Sequence, residues 1–240
     1  LKFVRFIDGS PTHIEDYALI GDCETAALVS REGSIDWLCW PRFDSGACFA
    51  ALLGDRFNGR FLLRPMDEAA RSSRRYRDGS LVLETCWRTD SGIALVIDFM
   101  PLRNGASDVI RIVRGLEGHV DFFAEYILRF DYGRITPWIN RMEDGALRAV
   151  GGPDCVTLRT GAPMHPRGRT HAAEFRVRAS EEQCFHLAWT PSHLPDAPPG
   201  DYRAALESTD GFWKHWSSRC ASAGPYSDLV KRSLITLKAL

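Results

Sequence analysis

The 240-residue chain is 45% hydrophobic and 25% charged, with 20 Gly and 13 Pro, and it balances 30 basic against 31 acidic residues for a net charge of −1. That composition belongs to a folded globular protein and excludes a disordered, collagenous or low-complexity chain, while near-neutrality argues against nucleic acid or an anionic membrane held by bulk charge. No apolar run is long enough to span a bilayer, seven scattered cysteines point to a reducing compartment rather than a disulfide scaffold, and no leader pattern is visible from Leu1 onward, so a cytoplasmic location is expected.

In chain order, Ala18 to Asp22, Ala26 to Ser30 and Ser34 to Trp40 read as three short strands, with Arg31-Glu32-Gly33 turning into the third. Pro41 to Gly46 is a loop. Ala47 to Leu53 is expected to be a short apolar helix stopped by Gly54. Leu81 to Trp87 alternates, with Leu81, Leu83 and Trp87 on one face. It is joined across Thr89-Asp90-Ser91-Gly92 to the apolar run from Ile93 to Met100. Val109 to Leu116, Phe122 to Phe130, Ala146 to Val150, Cys155 to Thr160, Glu174 to Ala179 and Gln183 to Thr190 complete the strand series. Many short strands without intervening helices predict a mainly β protein, an antiparallel sandwich or barrel.

The period changes after a linker from Pro191 to Gly200, five of whose residues are Pro or Gly. Tyr202 to Trp216 fits a helix with Leu206, Thr209, Trp213 and Trp216 on one face. Ala221 to Tyr226 is a second connection. Ser227 is a suitable N-cap for a last helix, in which Val230, Leu234 and Leu237 form one apolar row and Leu229, Ile235 and Leu240 another. A helix apolar around much of its surface, with no stop signal, is expected to open a further domain; the alternative is docking onto the preceding domain. The predicted organisation is a β domain over 1–197, a helical linker over 198–226, and the start of another unit at 227–240.

Motifs for familiar chemistry are missing. There is no Cys-x-x-Cys and no His-Glu-x-x-His; His165 with His171, and His186 with His193, are pairs that seven randomly placed His would give. No phosphate loop and no Gly-x-Ser-x-Gly elbow is present. Cys23, Cys39 and Cys48 are expected to be buried, inert thiols. Asp36, Asp44, Asp98 and Glu125 lie in apolar or aromatic contexts, and each is expected to cap a turn or face solvent from a strand. The densest candidate is Trp37-Leu38-Cys39-Trp40-Pro41-Arg42-Phe43-Asp44. There Trp40 and Phe43 offer aromatic faces for sugar rings, and Arg42 and Asp44 offer hydroxyl partners. The competing reading buries Trp37 and Trp40 and pairs Arg42 with Asp44 to hold the loop.

The stretches Ile14-Glu15-Asp16-Tyr17-Ala18-Leu19-Ile20-Gly21-Asp22-Cys23 and Gly33-Ser34-Ile35-Asp36-Trp37-Leu38-Cys39-Trp40-Pro41-Arg42-Phe43-Asp44-Ser45 resemble the opening of bacterial glycoside hydrolase family 15 proteins. The likeness continues through Arg74-Arg75-Tyr76, Asp98-Phe99-Met100-Pro101, Arg129-Phe130-Asp131-Tyr132-Gly133, Trp189 to His193 and Leu237-Lys238-Ala239-Leu240. The departures are Gly46 and Ala47, where related proteins often have Pro or Asp. The family includes glucoamylases, glucodextranases and trehalases, and this region looks like the one called trehalase-like. The resemblance implies a large antiparallel β-sandwich (supersandwich), a linker helix, and the first helix of a truncated (α/α)6 barrel. It implies inverting hydrolysis of an α-glucosidic bond by two barrel glutamates downstream of residue 240, about 6.5–9.5 Å apart. No catalytic residue, metal or cofactor is then assigned to this chain.

The expected role is a non-catalytic domain that braces the barrel and lends the Trp40, Arg42, Phe43, Asp44 loop to the active-site mouth. The expected partners are the barrel itself and an α-glucoside, either trehalose or an α-glucan, with homo-oligomerisation left open. The isolated chain is expected to be inactive, to expose an apolar patch and to self-associate. The alternatives are a stand-alone carbohydrate-binding module and a purely structural β-sandwich.

Overall fold

The computed structural model describes residues 13–103 and 105–240. The front of the expected β domain, including the residues on which the absence of a leader was read, lies outside the described residues. The described chain folds as fifteen strands followed by two helices, a β-sandwich with helices after it. Every strand pairing is antiparallel.

One sheet contains β1 (Tyr17–Gly21), β2 (Ala26–Ser30), β3 (Ser34–Cys39), β4 (Ala47–Phe49) and β5 (Arg60–Pro65). The other contains β6 (Arg71–Tyr76), β7 (Leu83–Arg88) and β8 (Gly92–Phe99). The strand β9 (Ser107–Ile127) is 21 residues long and belongs to both. Its first half pairs with β8, from Phe99↔Ile110 to Gly92↔Gly118. Its second half pairs with β5, from Pro65↔Phe122 to Arg60↔Ile127. After it come β10 (Trp138–Arg141), β11 (Leu147–Gly151), β12 (Asp154–Thr160), β13 (His165–Arg167), β14 (Thr170–Arg178) and β15 (Glu182–Pro191). The hairpin β13–β14 extends the first sheet beyond β9, and β15, β12, β11 and β10 extend the second.

Glycine makes the crossing of β9 possible. A Cβ on Gly115 would lie 2.0 Å from the Arg178 carbonyl oxygen, and one on Gly118, at φ +57, would lie 2.2 Å from that of Ser91. Backbone approaches this close exclude any side chain and bend the strand between sheets. The region therefore reads in sequence as two strands but folds as one.

Between the sheets lies a single apolar interior. Ile20, Val29, Ile35, Phe61, Phe122 and Tyr126 of the first sheet meet Leu83, Val96, Val113, Leu158, Phe185 and Leu187 of the second. Phe61 sits with its ring centre 5.7 Å from both Tyr126 and Phe185 at edge-to-face angles, the geometry aromatic quadrupoles favour. Through this interior runs a buried ion pair. Arg111, with no exposed surface, donates to Asp98 (Nε–Oδ1 2.7 Å) in its own sheet and to the carbonyls of Phe61 (2.7 Å) and Gly33 (2.8 Å) in the other.

The helix α1 (Tyr202–Ser218) is N-capped by Asp201, which accepts from the amides of Arg203 and Ala204. Leu206 packs on Val82, Ile97, Phe99, Ile110 and Ile112, the outer face of the second sheet. Leu206, Thr209 and Trp213 are buried as expected, and Trp216 is half-buried. The helix α2 (Ser227–Ala239) docks by one edge: Ile235 and Ala239 join Leu81 and Trp213, and the Ala239 carbonyl accepts from the Cys23 amide at 3.2 Å. Its other faces leave Leu229 and Leu237 at 68% and 67% exposure. The helix thus touches the β domain and also keeps an uncovered apolar surface.

Several sequence expectations change. Ala47 to Leu53 is strand β4 plus a 3-10 turn at Ala51–Leu53, and Gly54 is extended at φ −159 rather than left-handed; the edge of β3 captures the segment through Leu38↔Phe49 and Cys39↔Ala47. Leu81 precedes β7 and turns toward Trp213, while Leu83 and Trp87 enter the interior. Ser227 begins α2 rather than capping it; the cap position is Tyr226 and has no side-chain bond. Strands β5, β6, β10 and β13 were not visible in the sequence. Three of them lie at or near sheet edges, where charged, exposed residues replace apolar alternation.

Candidate functional site

The aromatic segment following β3 is shaped by hydrogen bonds from a neighbouring turn. Asp22, the residue after β1, has a carboxylate with no exposed surface. Its Oδ1 accepts from the amides of Glu24 (3.0 Å) and Thr25 (2.8 Å), and its Oδ2 accepts from Arg103 Nε (2.9 Å). Arg103 also donates to Glu24 Oε2 (2.9 Å) and to the Pro41 carbonyl. Thr25 Oγ1 donates to the Cys39 carbonyl at 2.7 Å, and the Phe43 amide donates to the Glu24 carbonyl at 3.1 Å. Asp22, Glu24 and Arg103 were not among the candidates. The first two read as ordinary turn residues, and Arg103 comes from a distant connection with no local signal.

Of the four candidates, three are brought together and one is not. Trp40 is 3% exposed and belongs to the interior, so its ring is not presented to a ligand. Arg42, Phe43 and Asp44 are exposed, with Arg42 Nε 3.1 Å from Asp44 Oδ1. This combines parts of both readings: a core tryptophan, a loop-holding ion pair, and an outward Phe43 at 58% exposure. Trp37 is half-buried and meets Tyr132 with ring centres 6.1 Å apart. Tyr132 donates to the Ser45 carbonyl at 3.5 Å. Its neighbour Asp131 and Tyr132 itself hold left-handed φ of 48° and 58°, a strained pair for non-glycine residues. The end of the first sheet thus carries Arg42, Phe43 and Asp44 on an exposed loop, and the Trp37–Tyr132 ring contact is tied to that loop through Ser45. Such a surface can stack on an apolar ring face and hydrogen-bond hydroxyls. It holds no pair of free carboxylates for acid–base work.

The remaining carboxylates are structural, but they do not face solvent as expected. Asp36, Asp98 and Glu125 are all buried. Asp36 accepts from Tyr17 Oη at 2.9 Å and from Ser34 Oγ. Asp98 holds Arg111, and Glu125 accepts from Arg60 (Nη2 2.7 Å) with Arg56 at 3.6 Å. Cys39 and Cys48 are buried as expected, whereas Cys23 is half-buried; burial, then the Asp44 charge, pushes Cys39 up to about 11, and burial raises Cys48 well above the usual range and Cys23 above it. His186 Nε2 lies 2.8 Å from Asp108, and among the described residues no three His, Cys, Asp or Glu side chains gather as metal ligands. Among those residues no helix is long and apolar enough to cross a membrane.

The fold is similar to that of part of a solved bacterial glucoamylase, determined in complex with acarbose. The two superpose with a TM-score of 0.65 at 12% identity, over 96% of this chain and 41% of that one, a likeness of fold. The sequence is more specific. Residues 5–187 match the family described as trehalase-like, N-terminal, and the chain belongs to that family. Its relatives include the trehalase of Mycobacterium tuberculosis, 32% identical over 95% of this chain and 37% of the relative, and that of Mycolicibacterium smegmatis, 30% identical over 95% and 38%. The trehalase of Thermoplasma volcanium is 26% identical over 98% of this chain and 38% of the relative. The chain therefore spans under two-fifths of the length of these relatives.

Proposed function

We propose that the chain is the non-catalytic N-terminal domain of a cytoplasmic glycoside hydrolase family 15 enzyme that inverts and cleaves an α-glucosidic bond, with trehalose as the first substrate to test. The observation that carries this reading is the alignment with three proteins named trehalase over at least 95% of the chain but under two-fifths of their lengths. In this reading residues 1–197 form the β domain, 198–226 the linker, and 227–240 the opening of a catalytic barrel that contributes the two glutamates. The uncovered leucines of α2 support a helix with a second packing partner. The Arg42, Phe43, Asp44 surface lends polar and aromatic contacts at the active-site mouth, supported by the exposure of an aromatic ring beside a charged pair in one loop.

The test is Arg42→Ala in the complete enzyme. The Arg42–Asp44 pair is exposed at both ends, 62% and 58%, so its loss costs under about 1 kcal/mol of stability. A fall in kcat/KM for trehalose of about tenfold or more, with Tm unchanged, is expected if the loop meets substrate. Unchanged kinetics would remove the loop from the active-site mouth.

A further inference from the structure

The helix α2 is held to the sandwich by few contacts. Among its described residues only Ile235 and Ala239 are buried. At its C-terminal end the Cys23 amide donates to the Ala239 carbonyl (3.2 Å), and a Cβ on Gly21 would lie 2.9 Å from that oxygen, so the helix end seats against bare backbone. Nearer its start, Arg232 supplies a polar link. Its Nη1 donates to the Ser80 carbonyl (2.9 Å), and its guanidinium carbon stands 4.1 Å from the centre of the Tyr76 ring, within cation–π range. The Tyr76 hydroxyl accepts from the Leu19 amide (2.8 Å) and donates to the Leu19 carbonyl (2.9 Å), which fixes the ring to β1. Burial lowers the pKa of Arg232, and the ring face and the carbonyl offset the lost hydration. Beside Arg232, α2 and the turn between β6 and β7 leave a cleft of about 250 Å³ lined by Asp78, Gly79, Asp228, Lys231 and Ile235. Local signals add little: the cap position Tyr226 has no side-chain bond, and a helix of 13 residues is marginal on its own in water. The helix α1 differs, since Asp201 caps it and it buries Leu206, Thr209, Asp210, Trp213 and Ser217.

We propose that α2 is a latch: it opens from the sandwich as a unit by itself, and the seating of Arg232 on Tyr76 and Ser80 sets how much of the time it is closed. A segment opens at the free energy of the contacts it alone makes, and those of α2 are few, whereas β9 runs through the interior. Removing the Arg232 contacts therefore weakens the closed latch and leaves the interior intact. The latch controls a surface. Closed, α2 presents the row Val230, Leu234 and Leu237, exposed at 40%, 38% and 67%, as one apolar face; open, the row dissolves with the helix. This is a property of the chain itself and holds whether or not α2 begins a catalytic barrel.

The experiment is hydrogen–deuterium exchange of the 240-residue chain, read by mass spectrometry on peptides from α2, α1 and β9. In the unaltered chain α2 is expected to be protected, but less than α1 and β9. Arg232→Met keeps an unbranched side chain of good helix propensity and removes the charge and the donor. It is expected to lower the protection of α2 about tenfold, the effect of a cation–π contact and a charge-assisted hydrogen bond at a half-buried site. Protection of β9 and Tm stay unchanged. Arg232→Lys keeps a charge over the ring but not the planar fork, and is expected to lose about threefold. Exchange of α2 in step with β9, no protection of α2 in the unaltered chain, or equal protection of α2 in Arg232→Met overturns the proposal. So does protection that rises with protein concentration, which assigns it to contacts between copies.

Discussion

Replacing Asp98 with Asn keeps the shape of the side chain and removes its charge, which isolates what the ion pair does for the sandwich. Asp98 is 1% exposed and Arg111 has no exposed surface, so neither charge is relieved by water. Arg111 keeps its bonds to the Phe61 and Gly33 carbonyls but loses its counter-charge. Breaking a buried pair from one side costs about 3–5 kcal/mol. Asn still accepts one hydrogen bond, which places the expectation near the lower end, about 3 kcal/mol. At about 2–4 °C per kcal/mol for a chain of this size, Tm falls by about 6–12 °C. Urea unfolding gives the free energy directly. The companion variant joins Asp98→Leu with Arg111→Met. It buries no charge and is expected to be more stable than either single substitution. A cost under about 1 kcal/mol for Asp98→Asn, the level of a surface pair, would refute the reasoning, as would additive losses in the double variant.

Gly115→Ala forces a methyl against the Arg178 carbonyl 2.0 Å away and is expected to cost about 1–3 kcal/mol by overpacking; a change within about 0.5 kcal/mol in urea unfolding would mean the crossing of β9 is not tightly built. Leu229→Glu with Leu237→Glu changes two side chains at 68% and 67% exposure. Sedimentation should show self-association of the chain reduced, with Tm unchanged; equal association in both proteins would clear α2 of the role. His171 has a folded pKa lowered by burial and then by Arg141, so the unfolded chain takes up its proton first. Its contribution is complete above the unfolded value of about 6.5 and is lost as pH falls through the lower folded value. His171→Gln should flatten stability as pH falls below about 6.5; an unchanged slope there would exclude His171 as its source.

Much of the architecture was legible because local pattern and tertiary demand agree. The alternation in Leu81 to Trp87 and the Thr89–Gly92 turn mark β7 and β8, with β7 beginning two residues later than expected at Leu83, and the period change after Gly200 marks α1. Failures fall where long-range contact outweighs pattern. Ala47 to Phe49 is apolar enough for helix or strand, and the open edge of β3 decides for strand. Edge strands such as β6 and β13 are charged because one side meets water, so alternation cannot reveal them.

At the candidate site, residue types and the order of motifs along the chain determined the family and drew attention to Trp40 through Asp44. Which of those side chains faces outward depends on packing: the interior takes Trp40, leaving Arg42, Phe43 and Asp44 on the surface. The clamp that shapes the loop joins Asp22 to Arg103 across 81 positions. Periodicity and composition act between residues close in sequence, so the sequence by itself determined strands, helices and kinship. Burial and charge pairing join residues far apart along the chain, so only the tertiary structure decided which groups are hidden, which are paired and which stand free.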